Sequence, residues 1–305
     1  MAKEKAVLVT GAGGYLGSFV IKKLKQKKIP FVAFFKKRRN LSESSRYPQR
    51  FYGNLNDPLS LENAMGKAQD VIHLASTLSS NLNTVVGYDL KGMQTLVSFW
   101  NKGDFIFTSS MDVYPEVENM SLIEESALHP SNFYGLGKLA CEKILLMDYE
   151  AHIARGTCPT YKILRLPFIL GKHERFPGSH FGKIIQKALR GEDFILRESH
   201  SGTSWIDATE LTDFMIKIIR NPISGIYNIA NGWIYWEEAI EAIIRSAKSK
   251  SRIVRKGDGE RFPGIKGKFL DFRKAQRDFG FQPQKTFNEA IEEILDLELY
   301  RRWMS

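Results

Sequence analysis

The chain has 305 residues, 43% of them hydrophobic and 26% charged, proportions that suit a folded globular protein with one large domain or two modest ones and exclude a disordered chain. Lysine and arginine number 44 against 34 aspartates and glutamates, a formal charge of +10. The excess is scattered apart from runs at Lys36–Arg39 and Lys248–Lys256. With no RNA-binding or zinc-finger motif beside it, it points to an anionic small molecule rather than nucleic acid. No apolar run is long enough to span a membrane, Met1 to Lys5 lack the apolar stretch of a secretory signal, and the two cysteines, Cys141 and Cys158, show no metal-ligand spacing. The expectations are no membrane partner, no metal, no disulfide scaffold and a reducing, cytoplasmic setting.

The first half alternates short apolar runs with helical periodicities, the pattern of βαβ units around a parallel sheet covered on both faces. Ala6–Thr10 reads as a buried strand, followed by a glycine-rich turn and an amphipathic helix to about Lys28. Further strands are predicted at Phe31–Phe35, Asp70–Leu74, Phe105–Thr108 and Tyr161–Leu166. Helices fall near 84–101 and from Asn132 to Ile153. Beyond Gly171, segments rich in Pro and Gly separate short helices near Phe181–Leu189, Glu210–Ile219, Trp236–Ala247 and Phe287–Trp303. The expected fold class is α/β: a Rossmann-type doubly wound parallel sheet over residues 1–170, joined by 203–230, with a smaller α/β substrate-binding domain made of 171–202 and 231–305.

Between the first strand and the first helix runs Thr10-Gly11-Ala12-Gly13-Gly14-Tyr15-Leu16-Gly17. Gly11 permits a tight turn, Gly14 lets backbone approach a pyrophosphate, and Gly17 allows close helix–strand packing. The helix start offers free N–H groups to phosphate, so this strand, loop and helix predict a dinucleotide site. Farther along, Tyr134 and Lys138 stand four apart on a predicted helix, so both side chains leave from one face. An ammonium beside a phenol favours phenolate, which predicts a lowered Tyr134 pKa and a usable acid–base group. Ser110 ends a strand at the sheet edge where ligands of open α/β sheets bind, and its hydroxyl can bond the reacting oxygen.

These features, together with His73-Leu74-Ala75-Ser76, Thr108-Ser109-Ser110, Leu164-Arg165-Leu166-Pro167-Phe168-Ile169-Leu170-Gly171 and Arg261-Phe262-Pro263-Gly264, make the chain resemble the extended short-chain dehydrogenase/reductase superfamily, nucleotide-sugar epimerase/dehydratase type. The resemblance runs through nearly the whole sequence. It implies a catalytic set of Ser110, Tyr134 and Lys138. It also implies a nicotinamide dinucleotide held by Gly11, Gly14, Tyr15, Leu16, Gly17, Asn54, Leu55, Leu74, Ala75, Ser76, Thr108, Tyr134, Lys138 and Pro167, with Lys138 on the nicotinamide ribose. Phe35 occupies the position of the acid that would bond a free ribose 2′-hydroxyl, and Lys36, Lys37, Arg38 and Arg39 follow it. NADP(H) is therefore favoured, with NAD(H) possible.

Ser110, Met111, Asp112, Phe168 and Arg261 stand at substrate-binding positions of the resemblance. Met111 cannot supply the acid that a sugar 4,6-dehydratase uses to expel water, which argues against that reaction. Phe168 replaces an Asn common beside a substrate diphosphate, whereas Arg261 keeps the place of a diphosphate-contacting Arg. The implied activity is a nucleotide-sugar 4-ketoreductase; the alternatives are an NAD-dependent 4-epimerase, a reductase of a non-sugar carbonyl and a non-catalytic dinucleotide sensor. The resemblance also implies a homodimer joined through the helices near 84–101 and 132–153.

Overall fold

The computed structural model describes residues 6–36, 49–118, 120–173, 175–196, 201–256, 266–296 and 300. In chain order they begin with β1 (Ala6–Thr10), α1 (Tyr15–Gln26), β2 (Phe31–Phe35), β3 (Arg50–Tyr52), α2 (Pro58–Met65) and β4 (Ala68–His73). A short α3 (Leu82–Thr84) passes through a π-helical turn, Val85–Leu90, into α4 (Lys91–Ser98). Next come β5 (Asp104–Ser110), β6 (Val117–Glu118), β7 (Ser121–Leu122), α5 (Phe133–Ala154), β8 (Thr160–Leu166) and β9 (Phe168–Leu170). The remainder is α6 (His180–Leu189), β10 (Phe194–Leu196), β11 (Ser201–Asp207), α7 (Ala208–Ile218), β12 (Gly225–Asn228), β13 (Gly232–Tyr235), α8 (Trp236–Ser246), β14 (Ile253–Arg255), β15 (Lys266–Leu270), α9 (Arg273–Phe279) and α10 (Phe287–Leu295).

Two compact units share these elements. The first comprises Met1–Tyr114, Ala127–Arg165 and Thr212–Tyr227; the second comprises Pro115–Ser126, Leu166–Leu211 and Asn228–Ser305. In the first, seven strands lie in the order β12-β8-β5-β4-β1-β2-β3, with the β5–β4, β4–β1, β1–β2 and β2–β3 pairs parallel. This is the doubly wound Rossmann order, and the chain reverses direction across the sheet between β1 and β4. All five residues of β1 and all seven of β5 are buried, as helices on both faces require. Leu8, Val32, Phe34, Val71, Phe105 and Phe107 from the strands pack with Leu96 and Leu145 from the helices and with Trp100 just past α4. Helix α1 buries Leu16, Val20, Ile21 and Leu24 on one stripe.

The second unit is built on a mixed sheet, β13-β11-β15-β6, with β7 added to β15 and β9 to β11. Four stretches expected in the first domain fall in this unit instead: 115–126, 166–170, 203–211 and 228–230. Residues 203–211 belong here, because β11 pairs with β9, β13 and β15. Pro115–Ser126 also belongs here, because β6 and β7 pair with β15. The first unit keeps only Thr212–Tyr227 of the stretch expected to rejoin it.

Candidate active site

Gly11 makes the turn after β1 at φ +67°, and a Cβ there would lie 2.8 Å from Ala75 N. Gly14 donates its N–H to Gly11 O at 2.7 Å. One turn into α1, a Cβ on Gly17 would overlap Gly11 O, so only glycine lets helix and loop approach this closely. Tyr15 and Leu16 open the helix; Leu16 is buried, and the Tyr15 ring packs edge-on against Phe19 at 5.4 Å. No side chain caps α1 and no acid lies in its first turn, which leaves the positive end of the helix to an anion.

Beside this loop opens a cleft of about 130 Å³, lined by Gly11, Lys36, Asn54, Leu55, Ala75 and Ser76, together with Tyr88 and Asp89. A glycine cradle that a Cβ would fill, an uncapped helix start and the cleft beside them together fit a dinucleotide. At the cleft's end the Phe35 ring stacks on Tyr52 at 5.5 Å, and Lys36 Nζ lies 4.4 Å from the Tyr88 ring centroid. Asn54 Oδ1 accepts the Asn56 N–H at 3.2 Å, and Leu55 packs against Gly92. Leu74, Ala75 and Ser76 leave the end of β4. Ala75 N–H reaches Thr10 Oγ1 at 3.4 Å, and Ser76 Oγ accepts from Leu78 N at 3.4 Å. Lys37, Arg38, Arg39 and Arg261 lie outside the described residues.

A second, smaller cavity joins Ala75, Ser76 and Asp89 to Tyr134 and Lys138. Helix α5 starts at Asn132, whose side chain accepts the Gly135 N–H at 2.7 Å. Gly135 lies against the Asp112 backbone, where a Cβ would overlap the carbonyl, and so Tyr134 comes down beside the end of β5. There the Ser110 hydroxyl stands close enough to the Tyr134 phenol to pull its pKa down, and Ser110 Oγ accepts from Asp112 N at 3.1 Å. Lys138 Nζ donates to Thr108 O at 2.8 Å and sits 4.9 Å from the Phe107 ring centroid. Burial pushes the Lys138 pKa down, against the opposing pull of Cys141, Asp89 and Glu142. The Cys141 thiol itself is pushed up to about 12 by burial.

The expectation of a lowered Tyr134 pKa is not met. Burial raises it, the charges of Asp112 and Asp89 add to the rise, and the nearby Ser110 hydroxyl only partly opposes them. Lys138 Nζ stands 5.8 Å from the phenol ring centroid and is bonded to backbone. Tyr134 therefore holds its proton in this arrangement.

Met111 and Asp112 form a 3-10 turn directly after Ser110, with Met111 buried. Pro167 and Phe168 lie in the second unit, where Phe168 opens β9. Its ring stacks on His180 at 5.1 Å and meets Trp236 edge-on at 5.8 Å. His73 is a core residue: it is bonded to Thr10 Oγ1 at 2.6 Å and stacked on Phe107 at 5.5 Å. Burial takes its pKa down to about 3. Among the described residues no cluster of three or more potential metal ligands occurs, and no helix is long and apolar enough to cross a membrane.

Sequence reasoning missed two parts of this neighbourhood. Asp89, on the π-helical turn, accepts hydrogen bonds from Thr77 N at 2.9 Å and from Thr77 Oγ1; a break in helical period is invisible to apolar spacing. Beneath Ser110, Glu142 accepts from Ser109 Oγ and takes Arg165 in a bidentate pair, Nε at 3.1 Å and Nη2 at 2.8 Å. Arg165 Nη1 continues to Tyr114 Oη at 2.7 Å. The available signal was an arginine set inside the apolar run Tyr161–Leu166.

A Rossmann sheet, a glycine-lined dinucleotide cleft and a Ser–Tyr–Lys constellation at its edge define an enzyme of the extended short-chain dehydrogenase/reductase type that uses a nicotinamide dinucleotide. The chain belongs to the NAD dependent epimerase/dehydratase family, whose model matches residues 7–230. A probable UDP-arabinose 4-epimerase of Oryza sativa is 26% identical over 74% of this chain, which spans 63% of that protein's length. A dTDP-4-dehydro-6-deoxyglucose reductase of Escherichia coli is 24% identical over 96% of this chain and 98% of its own. Among solved structures, the UDP-glucose 4-epimerase of Thermotoga maritima with UDP-glucose superposes with a TM-score of 0.82 at 18% identity, covering 97% of this chain and 98% of that one. At that identity the likeness establishes the shared fold.

Proposed function

We propose that the enzyme reduces the keto group of a nucleotide-linked sugar, most simply a 4-ketosugar, with NADPH. The observation that carries this reading is the buried, protonated Tyr134 beside Ser110, in the cavity it shares with Lys138, Ala75 and Ser76. A phenol that holds its proton is equipped to give it to a carbonyl oxygen as that oxygen gains charge. Ser110 would hold the same oxygen, and Lys138 would hold the nicotinamide ribose and stabilise the phenolate left behind. The glycine loop and the start of α1 would take the pyrophosphate, with Asn54, Leu55, Ala75, Ser76 and Thr108 along the rest of the coenzyme. Bound there, the nicotinamide supplies the hydride. Lys36 and the absence of an acid at Phe35 support the 2′-phosphate form.

The names of the relatives, UDP-sugar epimerases among them, favour a nucleotide sugar and give the second reading: a 4-epimerase that oxidises and re-reduces one carbon on a retained coenzyme. Exposed Leu136, Met147 and Ile153 on α5, with exposed Leu82 and Val86 ahead of α4, support a homodimer. Unpaired Cys141 and Cys158 support a cytoplasmic setting. The test is NADPH consumption with a nucleotide 4-ketosugar, together with mass spectrometry of any ligand released on denaturation. Tyr134→Phe should lower turnover by a factor of order a hundred and leave coenzyme affinity unchanged. Retained NAD and no NADPH consumption would put the epimerase first.

A further inference from the structure

We propose that Asp89 is a positioning residue for coenzyme: its carboxylate clamps the loop after β4 through Thr77 and shares with Lys138 the cavity at the coenzyme's reactive end. Among the described residues, Asp89 is the one carboxylate that lines both cavities, the cleft beside the glycine loop and the smaller one at Tyr134 and Lys138. It sits on the π-helical turn Val85–Leu90. Its two oxygens are engaged by one residue, Thr77, through the backbone N–H at 2.9 Å and the hydroxyl. Thr77 follows Ala75 and Ser76, which wall both cavities, and Ala75 presses on Gly11. The clamp therefore fixes the strip of backbone that separates the coenzyme's two ends. On its other side, the Asp89 carbonyl accepts the Cys141 thiol at 3.7 Å, which ties the turn to α5 within one helical turn of Lys138.

The charge matters as much as the clamp. Lys138 is buried, so its ammonium is costly unless anions face it. Those that do are Asp89 from the π-helical turn and, on α5 itself, Cys141 and Glu142; Cys141 is held as a neutral thiol. His73 on β4 is neutral, and Asp112 faces Tyr134 rather than Lys138. Asp89 is thus one of two carboxylates that support the lysine, and the other, Glu142, already answers Arg165. An ammonium donates to a ribose hydroxyl more strongly than a neutral amine does, so coenzyme affinity should fall once Lys138 loses its proton.

The inference rests on Lys138 holding coenzyme, as proposed above, and its test needs no substrate. The affinity of the full-length protein for NAD and for NADPH is measured against pH by calorimetry, using the tighter of the two. In the natural protein, affinity should fall at alkaline pH, and Lys138→Met should abolish that limb. Asp89→Asn keeps an oxygen and an N–H for Thr77 but drops the charge. It should move the limb to lower pH by roughly 0.5–1, with near-normal affinity at neutrality. Thr77→Val should do the reverse, weakening affinity about tenfold with the limb in place. Should Asp89→Asn fail to fold, Asp89→Ser, which also drops the charge and leaves a hydroxyl for Thr77, is read in the same way. An Asp89→Asn limb that overlays the natural one overturns the proposal, as does a limb that survives Lys138→Met. Failure of the functional reading is separate: it would show as full turnover in Tyr134→Phe.

Discussion

Glu142→Gln should destabilise the first unit by about 3–5 kcal/mol, the cost of stranding one member of a buried ion pair. The size follows from geometry. Glu142 is 1% exposed and Arg165 is 1% exposed, so water can replace neither. The carboxylate takes two guanidinium N–H groups and the Ser109 hydroxyl, and with glutamine in its place Arg165 keeps only a neutral amide oxygen and Tyr114 Oη. Arg165 loses the partner that holds its pKa above the ordinary guanidinium value. The double variant Glu142→Gln/Arg165→Met removes the stranded charge. It should recover most of the loss, because a well-packed apolar replacement for a buried pair is often neutral. The assay is urea unfolding of the natural chain, both single variants and the double, with slopes compared as well as midpoints. Ser109 adjoins Ser110, so Glu142→Gln should also slow turnover while sparing coenzyme affinity. A loss under about 1 kcal/mol in both single variants would show that these groups are solvated and refute the reasoning.

Replacing Phe35 by Asp and Lys36 by Ala should reverse coenzyme preference. In the natural chain, one or two charge-assisted bonds to the 2′-phosphate should favour NADPH about five- to hundredfold, and equal calorimetric affinities would defeat this. Gly17→Ala pushes a Cβ onto the Gly11 carbonyl. It should cost roughly 1–3 kcal/mol in unfolding experiments and weaken coenzyme binding in parallel; an unchanged midpoint would contradict the packing. His73 titrates at about 3 in the folded protein against 6.5 ordinarily, so the folded state binds fewer protons. Its contribution is fully present above pH 6.5 and is lost as pH falls from there towards 3, by a few kcal/mol. His73→Gln should flatten that slope in urea midpoints taken across the range, and identical slopes would remove His73 as the cause.

Much of the first unit was legible because its strands are short, apolar and buried on both faces: β1 and β2 match their predicted limits residue for residue. Helix α5 was legible for the same kind of reason, an Asn cap followed by 22 helical residues. What escaped was whatever depends on distant pairing. Strands β6 and β7 are two residues each, too short for any alternation, and exist because β15 offers an edge. The expected helix at 84–101 is broken into α3, the π-helical turn and α4, since a π turn keeps the helix going while rotating its face. The glycine loop and the Tyr134–Lys138 spacing could be read locally. The protonation state of Tyr134 could not, because it depends first on how deeply the fold buries the phenol and then on Asp112 and Asp89 arriving from other segments.

At the other end of the β5–β4 pair from Ser110, Asp104 and Asp70 are each 1% exposed. Asp104 is bonded to Lys162 Nζ at 2.6 Å and to Arg220 N at 3.0 Å, and Asp70 is paired with Arg220 Nε at 2.8 Å. Arg220 lies in the stretch Thr212–Tyr227 that rejoins the first unit after the chain has passed through the second. During synthesis, then, the nucleotide-binding half cannot finish folding when its own first 165 residues are made. Asp70 must wait in water, and β8 must leave its outer edge open, until α7 and β12 have cleared the ribosome. A messenger cut anywhere before that point yields not a smaller working domain but a sheet with an open edge and a carboxylate that cannot be buried.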